Sequence, residues 1–242
     1  MSATSTDPAR TARLDRLRVL LWIGGVGAAL MTLIGLFGFH DGSIWKLPRL
    51  LQSHAEAALS AAGLPGLEVE MQGQTAVLRG VVANAGVRTA AEHAALTAAG
   101  PGGPWAGGVT SVDASGVVIG ATERPFSWSV RREGRSVTLS GLVPSNETKS
   151  ALLIAASAAF PNAVVADHVR VAGGAPTAHW RDAAIDAIRA LAPFENGEAR
   201  FDDENIVFTV QGSEAATGAL RQRYQAPTPP FRARVDVAGA TP

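Results

Sequence analysis

The side chains that could do chemistry are few and scattered along the chain. There is no cysteine, which removes disulfides, thiolate nucleophiles and thiolate metal sites. The histidines His40, His54, His93, His168 and His179 include no pair four apart and no Glu-x-x-His, the spacings that gather metal ligands on one helix face. They read as polar surface or loop residues. No Gly-x-Ser-x-Gly elbow occurs, and Ser140-Gly141 falls inside a predicted strand rather than at a strand-to-helix turn. A phosphate loop of the Gly-x-x-x-x-Gly-Lys type is also absent. The acidic run Asp202-Asp203-Glu204 has the composition of a cation site or an acid/base pair, but no further oxygens are spaced for calcium. Asp and Asn favour turns, so a solvated hairpin turn is predicted there. Asp182 and Asp186 stand one helical turn apart between Arg181 and Arg189 and read as a solvated face. The sequence therefore predicts no catalytic residue, no cofactor and no metal ligand, and a protein that is not an enzyme.

The elements that would position these residues begin with residues 19–39, an uncharged and mostly apolar run preceded by Arg10, Arg13, Arg16 and Arg18. As a helix it would be roughly 31 Å long, which matches a hydrocarbon core of about 30 Å. The arginines predict that the N-terminus stays in the cytoplasm and the remainder is translocated, as in an uncleaved signal anchor. Gly24 with Ala28 and Gly25 with Ala29 place small residues one turn apart, which would let another helix approach closely. No ionisable group interrupts the run, so transport and proton conduction find no support.

Formal net charge is zero, and residues 1–18 carry four arginines against Asp7 and Asp15, so the rest of the chain holds about two negative charges in excess. No basic face for nucleic acid is implied. Beyond residue 46 a pattern recurs. The segments Gln74-TAVLRGVV, Arg135-SVTLSGLV and Ile206-VFTVQGS each alternate apolar and polar residues and end in a glycine, namely Gly80, Gly141 and Gly212. Leu78, Leu139 and Val210 stand two positions before those glycines and are predicted core residues. Each segment follows another extended stretch across turn-forming residues, which predicts three β-hairpins. A helical stretch and a last strand follow each hairpin. Ser145 is a candidate N-cap, with Glu147 in the first turn of its helix. The first and third copies also have a preceding amphipathic helix, marked by Leu51, Ala55 and Leu59 and by Trp180, Ala184, Ile188 and Leu191. The second copy lacks one and reads as a reduced module. Between the first helix pair and its last strand, Trp105 sits in a Gly/Pro-rich loop, either folded onto the core or presented to a partner or lipid.

The order helix, strand, strand, helix, strand, with glycine late in the second strand, resembles the BON domain. AEAALSAAGL, LEVE and VLRGVV, then FSWSVRREGRSVTLSGLVPSNETKSALLIAASAAFPNAVVADHVRVAGGAP, are similar to the N-terminal part of bacterial OmpA-family proteins. The resemblance covers about residues 47–237, strongest over 126–176, and does not extend to the OmpA-like C-terminal domain, so cell-wall anchoring is not carried over.

The expected fold is therefore α+β: a cytoplasmic tail (1–18), a transmembrane helix (19–39), a linker (40–46) and three tandem BON-like αββαβ modules (47–122, 123–176 and 177–242). The resemblance implies a non-catalytic, single-pass protein of the bacterial inner membrane with its modules in the periplasm. Its implied partners are phospholipid surfaces or envelope proteins. An alternative is an accessory subunit of an integral membrane complex, packed through the transmembrane helix. Because the exported part is slightly acidic, lipid contact is expected from local apolar or basic loops rather than from bulk charge.

Overall fold

The computed structural model describes residues 47–98 and 108–238. In chain order these form α1 (Leu47–Ala61), β1 (Glu68–Gln72), β2 (Thr75–Val82), α2 (Ala85–Thr97), β3 (Ser111–Ile119), β4 (Ser127–Glu133), β5 (Ser136–Val143), α3 (Asn146–Ala159), β6 (Val164–Val171), α4 (Trp180–Ala190), β7 (Asn196–Asp202), β8 (Asn205–Gln211), α5 (Glu214–Arg223) and β9 (Arg232–Val237).

The repeat is visible in the local chemistry. Each hairpin turns at a residue in the left-handed region, Gly73 (φ 65°), Gly134 (φ 58°) and Asp203 (φ 52°), a conformation that glycine adopts without penalty and aspartate tolerates. Each second strand is followed by a helix with a side-chain cap: Asn84, Ser145 and Ser213 accept hydrogen bonds from the N–H groups of Val87, Thr148 and Ala216. The third strand of each unit then returns parallel to the second, which is the connection a helical crossover provides. In α1, Leu51, Ala55 and Leu59 form the buried stripe, and the helix stops where Gly63 (φ 78°) lets the Leu64 N–H reach the Leu59 carbonyl.

The expectation of a transmembrane helix followed by three separate αββαβ modules is corrected. The described residues form two sheets, one three-stranded with order β1-β2-β3 and one six-stranded with order β6-β5-β4-β7-β8-β9. The second and third copies are joined through their first strands, β4 and β7, which pair antiparallel from Ser127↔Asp202 to Glu133↔Asn196. They share one core, and α4 lies over the seam, contributing Trp180, Ala184, Ala187 and Ile188 to it. This explains why the second copy has no leading helix: α4 covers the first strands of both copies. Among the described residues no helix is long and apolar enough to cross a membrane. The apolar run 19–39, with its helix-packing candidates Gly24, Gly25, Ala28 and Ala29, lies outside the described residues.

In the six-stranded sheet one face is apolar and helix-covered, and Phe126, Trp128, Trp180 and Phe201 meet there edge to face with ring centroids 5.3–5.9 Å apart. The other face is polar. Ser129 and Ser140 share a hydrogen bond across β4 and β5, and Arg131 pairs with Glu198 across β4 and β7. The three-stranded sheet has its own core, in which Leu59, Val69, Leu78, Val82, Ala91 and Val117 are buried.

Candidate functional site

Alignment on the hairpin turns places Gly80 and Gly141 at the same point of their second strands, opposite Val117 of β3 and Val169 of β6. Both have positive φ, 137° and 101°. A Cβ on Gly141 would lie 2.4 Å from the Ser127 carbonyl oxygen and 2.8 Å from the Trp128 Cα, so the glycine lets the strand carrying Trp128 pass. In the third unit that place is taken by Val210, opposite Val237 of β9, and the glycine has moved to the facing strand, where Gly197 pairs with Val210. Gly212 lies two residues further on, outside β8, with Phe194 against it. A large residue facing a small one is kept in both units, but the strands exchange roles. Leu78, Leu139 and Val210 are fully buried. Trp105 lies outside the described residues.

A cleft of about 450 Å³ is lined by His179 and Asp182 at the start of α4, Ile206 of β8, Tyr224 after α5, and Pro227 and Phe231 of the loop before β9. One wall is a network. Arg223 donates through two nitrogens to Asp186, and the Tyr224 hydroxyl donates to Asp186 Oδ2 at 2.7 Å. Burial pushes the Asp186 carboxyl up, but the bonds from Arg223 and Tyr224 outweigh it, and the carboxyl is held below its usual range. Burial, reinforced by the bond to Asp186, pushes the Tyr224 hydroxyl well above its ordinary value. The Asp186 carboxylate thus takes one donor on Oδ1 and two on Oδ2, all from the end of α5 and the residue after it. The network fixes α5 against α4. Sequence reading placed Asp186 on a solvated face with Arg189 beside it and missed Arg223 and Tyr224, whose distance along the chain hid the contact.

His179 reaches across to Glu56 of α1 at 3.3 Å. A second tie between the two sheets is a buried carboxylate, Glu68 at the start of β1, which accepts hydrogen bonds from the hydroxyls of Ser145 and Thr148 at the start of α3. Ser145 therefore caps its helix and also receives the neighbouring unit. The acidic run Asp202-Asp203-Glu204 forms the β7–β8 turn, and Asp203 clasps the chain before β4: its Oδ1 accepts from the Phe126 N–H at 2.8 Å and its own N–H donates to the Phe126 carbonyl. Among the described residues no group of three or more His, Asp or Glu could hold a metal ion.

Residues 128–173, from β4 through α3 to the end of β6, match the BON-like domain family. This family is associated with phospholipid or envelope binding and is a non-catalytic domain type. The match covers the second unit; the OmpA-like arrangement is not among the matches. None of the curated proteins matches the chain.

Proposed function

We propose that this chain is a non-catalytic binding protein of the bacterial cell envelope, working outside the cytoplasm, whose BON-like units engage phospholipid surfaces or an envelope protein. The observation that carries the reading is the BON-like domain at residues 128–173. Two features of that segment support a surface role. Ile154 on α3 and Val164 at the start of β6 are 70% and 75% exposed, the most exposed large apolar side chains among the described residues. Exposed apolar side chains of this size suit contact with acyl chains or a partner better than bulk water. Gentle affinity isolation of the full chain from membranes, together with flotation on vesicles with and without anionic lipid, tests the reading. Retention of lipid or of a stoichiometric envelope protein supports it. Retention of neither, with turnover of a small substrate by the purified chain, overturns it.

A further inference from the structure

The cleft between α4, α5 and the loop before β9 holds two charged groups whose bonding capacity is not exhausted. Arg223 is fastened to Asp186, but of the five N–H groups of a guanidinium it gives that carboxylate only the one on Nε and one on Nη2, and the other three have no partner among the described residues. Asp182, in the first turn of α4, lines the same cleft. Its ion pair is with the adjacent Arg181, at 3.7 Å and with side chains 69% and 43% exposed. That is longer than a hydrogen bond, and exposed pairs of this kind contribute little. The third titratable group near the mouth, His179, is engaged with Glu56 at 3.3 Å.

The rest of the lining is apolar and held by the core. Ile206 and Phe231 are buried. Phe231 packs edge to face on Phe201, and Tyr224 lies against Phe208 with ring centroids 4.5 Å apart, so these walls stand in place without a ligand. At about 450 Å³ the space falls within the range of small-molecule sites, roughly 300–1,000 Å³. A second groove shares Arg223 and is lined by Arg189, Pro193, Phe194 and Leu220, but it has no carboxylate among its walls. Both signs of charge meet an apolar floor in the first cleft and not in the second. Asp182 and Asp186 are one helical turn apart, about 5–6 Å between Cβ atoms, and Arg223 is bound to the latter. An extended dipeptide, about 7 Å from end to end, spans such a separation.

We propose that this cleft binds a small zwitterion with an apolar body. Asp182 takes the ammonium group, the free N–H groups of Arg223 take the carboxylate or phosphate, and the apolar part lies against Ile206, Pro227 and Phe231. A short apolar peptide and the headgroup of an ethanolamine phospholipid both have this chemistry. The site belongs to the third unit, whereas Ile154 and Val164 belong to the second, so it can fail while vesicle flotation succeeds.

The probes are L-leucyl-L-leucine and glycerophosphoethanolamine, each titrated calorimetrically into the purified full chain, with hydrogen exchange followed across the chain. Saturable binding of at least one is expected, with slowed exchange at the start of α4 and over residues 224–231; which of them binds distinguishes the peptide from the lipid source. For the dipeptide, acetylating the amine or amidating the carboxylate should weaken binding about fivefold or more. Asp182→Asn should weaken the zwitterion by a similar factor and leave the acetylated form, which has no ammonium, unchanged; a general loss of structure would weaken both. No binding by either probe, equal binding by the blocked forms, an Asp182→Asn variant that binds as the parent does, or slowed exchange elsewhere in the chain would each overturn the proposal.

Discussion

Replacing Gly141 by alanine tests whether the Trp128/Gly141 crossing is a steric requirement of the second unit. The residue has φ 101°, and a new Cβ would stand 2.4 Å from the Ser127 carbonyl oxygen and 2.8 Å from the Trp128 Cα. Both obstacles are backbone atoms of β4, whose other edge is fixed by β7, so neither can swing aside as a side chain would. Holding an L-residue at positive φ costs about 1–2 kcal/mol, and forcing an extra methyl into a filled space adds about 1–3 kcal/mol. A total of about 2–5 kcal/mol is expected. Gly134→Ala is the control, because Gly134 has φ 58° with nothing within 4 Å of its added Cβ; it bears the conformational strain alone, about 1–2 kcal/mol. Urea unfolding followed by the fluorescence of buried Trp128 and Trp180 gives both differences from the midpoints at constant slope. Equal losses for the two variants would refute the steric argument.

Leu139→Ala should cost about 2–5 kcal/mol, since Leu139 is fully buried in the shared core; the same urea titration measures it. Because the Asp186 carboxyl is held below its usual range in the folded chain, its contribution to stability is present above the ordinary carboxylate pKa and is lost as pH falls through the folded value. Asp186→Asn should therefore flatten the acid limb of the stability profile, and an unchanged limb would count against the network. Glu68→Ala leaves the hydroxyls of Ser145 and Thr148 without their carboxylate, and should lower stability by about 1–3 kcal/mol, with faster hydrogen exchange at the start of α3.

The alternation in each hairpin, the turns and the amphipathic stripes of α1 and α4 were legible because each is set by residues a few positions apart. Ser145 as a cap was legible for the same reason. The joining of the second and third units was not, because β4 and β7 meet through backbone hydrogen bonds between segments some 70 residues apart, and nothing in a strand's own pattern names its neighbour. The missing helix before β4 was the available clue: a strand without its own cover must borrow one. Counting by glycines misplaced the third repeat by two residues, since the small residue of the Gly197/Val210 pair sits on the opposite strand from that of Trp128/Gly141. Turn residues and caps mark the repeat better than the glycines do. The cleft network of Asp186, Arg223 and Tyr224 was hidden likewise, by separation along the chain.

The central claim, that the BON-like segment contacts a surface without catalysis, is tested most directly by vesicle flotation of the full chain beside the double variant Ile154→Ser, Val164→Ser. Both side chains are largely exposed, so the variant should unfold at the same urea midpoint as the parent. The account predicts that the parent floats with anionic vesicles and that the variant loses most of that binding at unchanged stability. Equal flotation by the two proteins would contradict it.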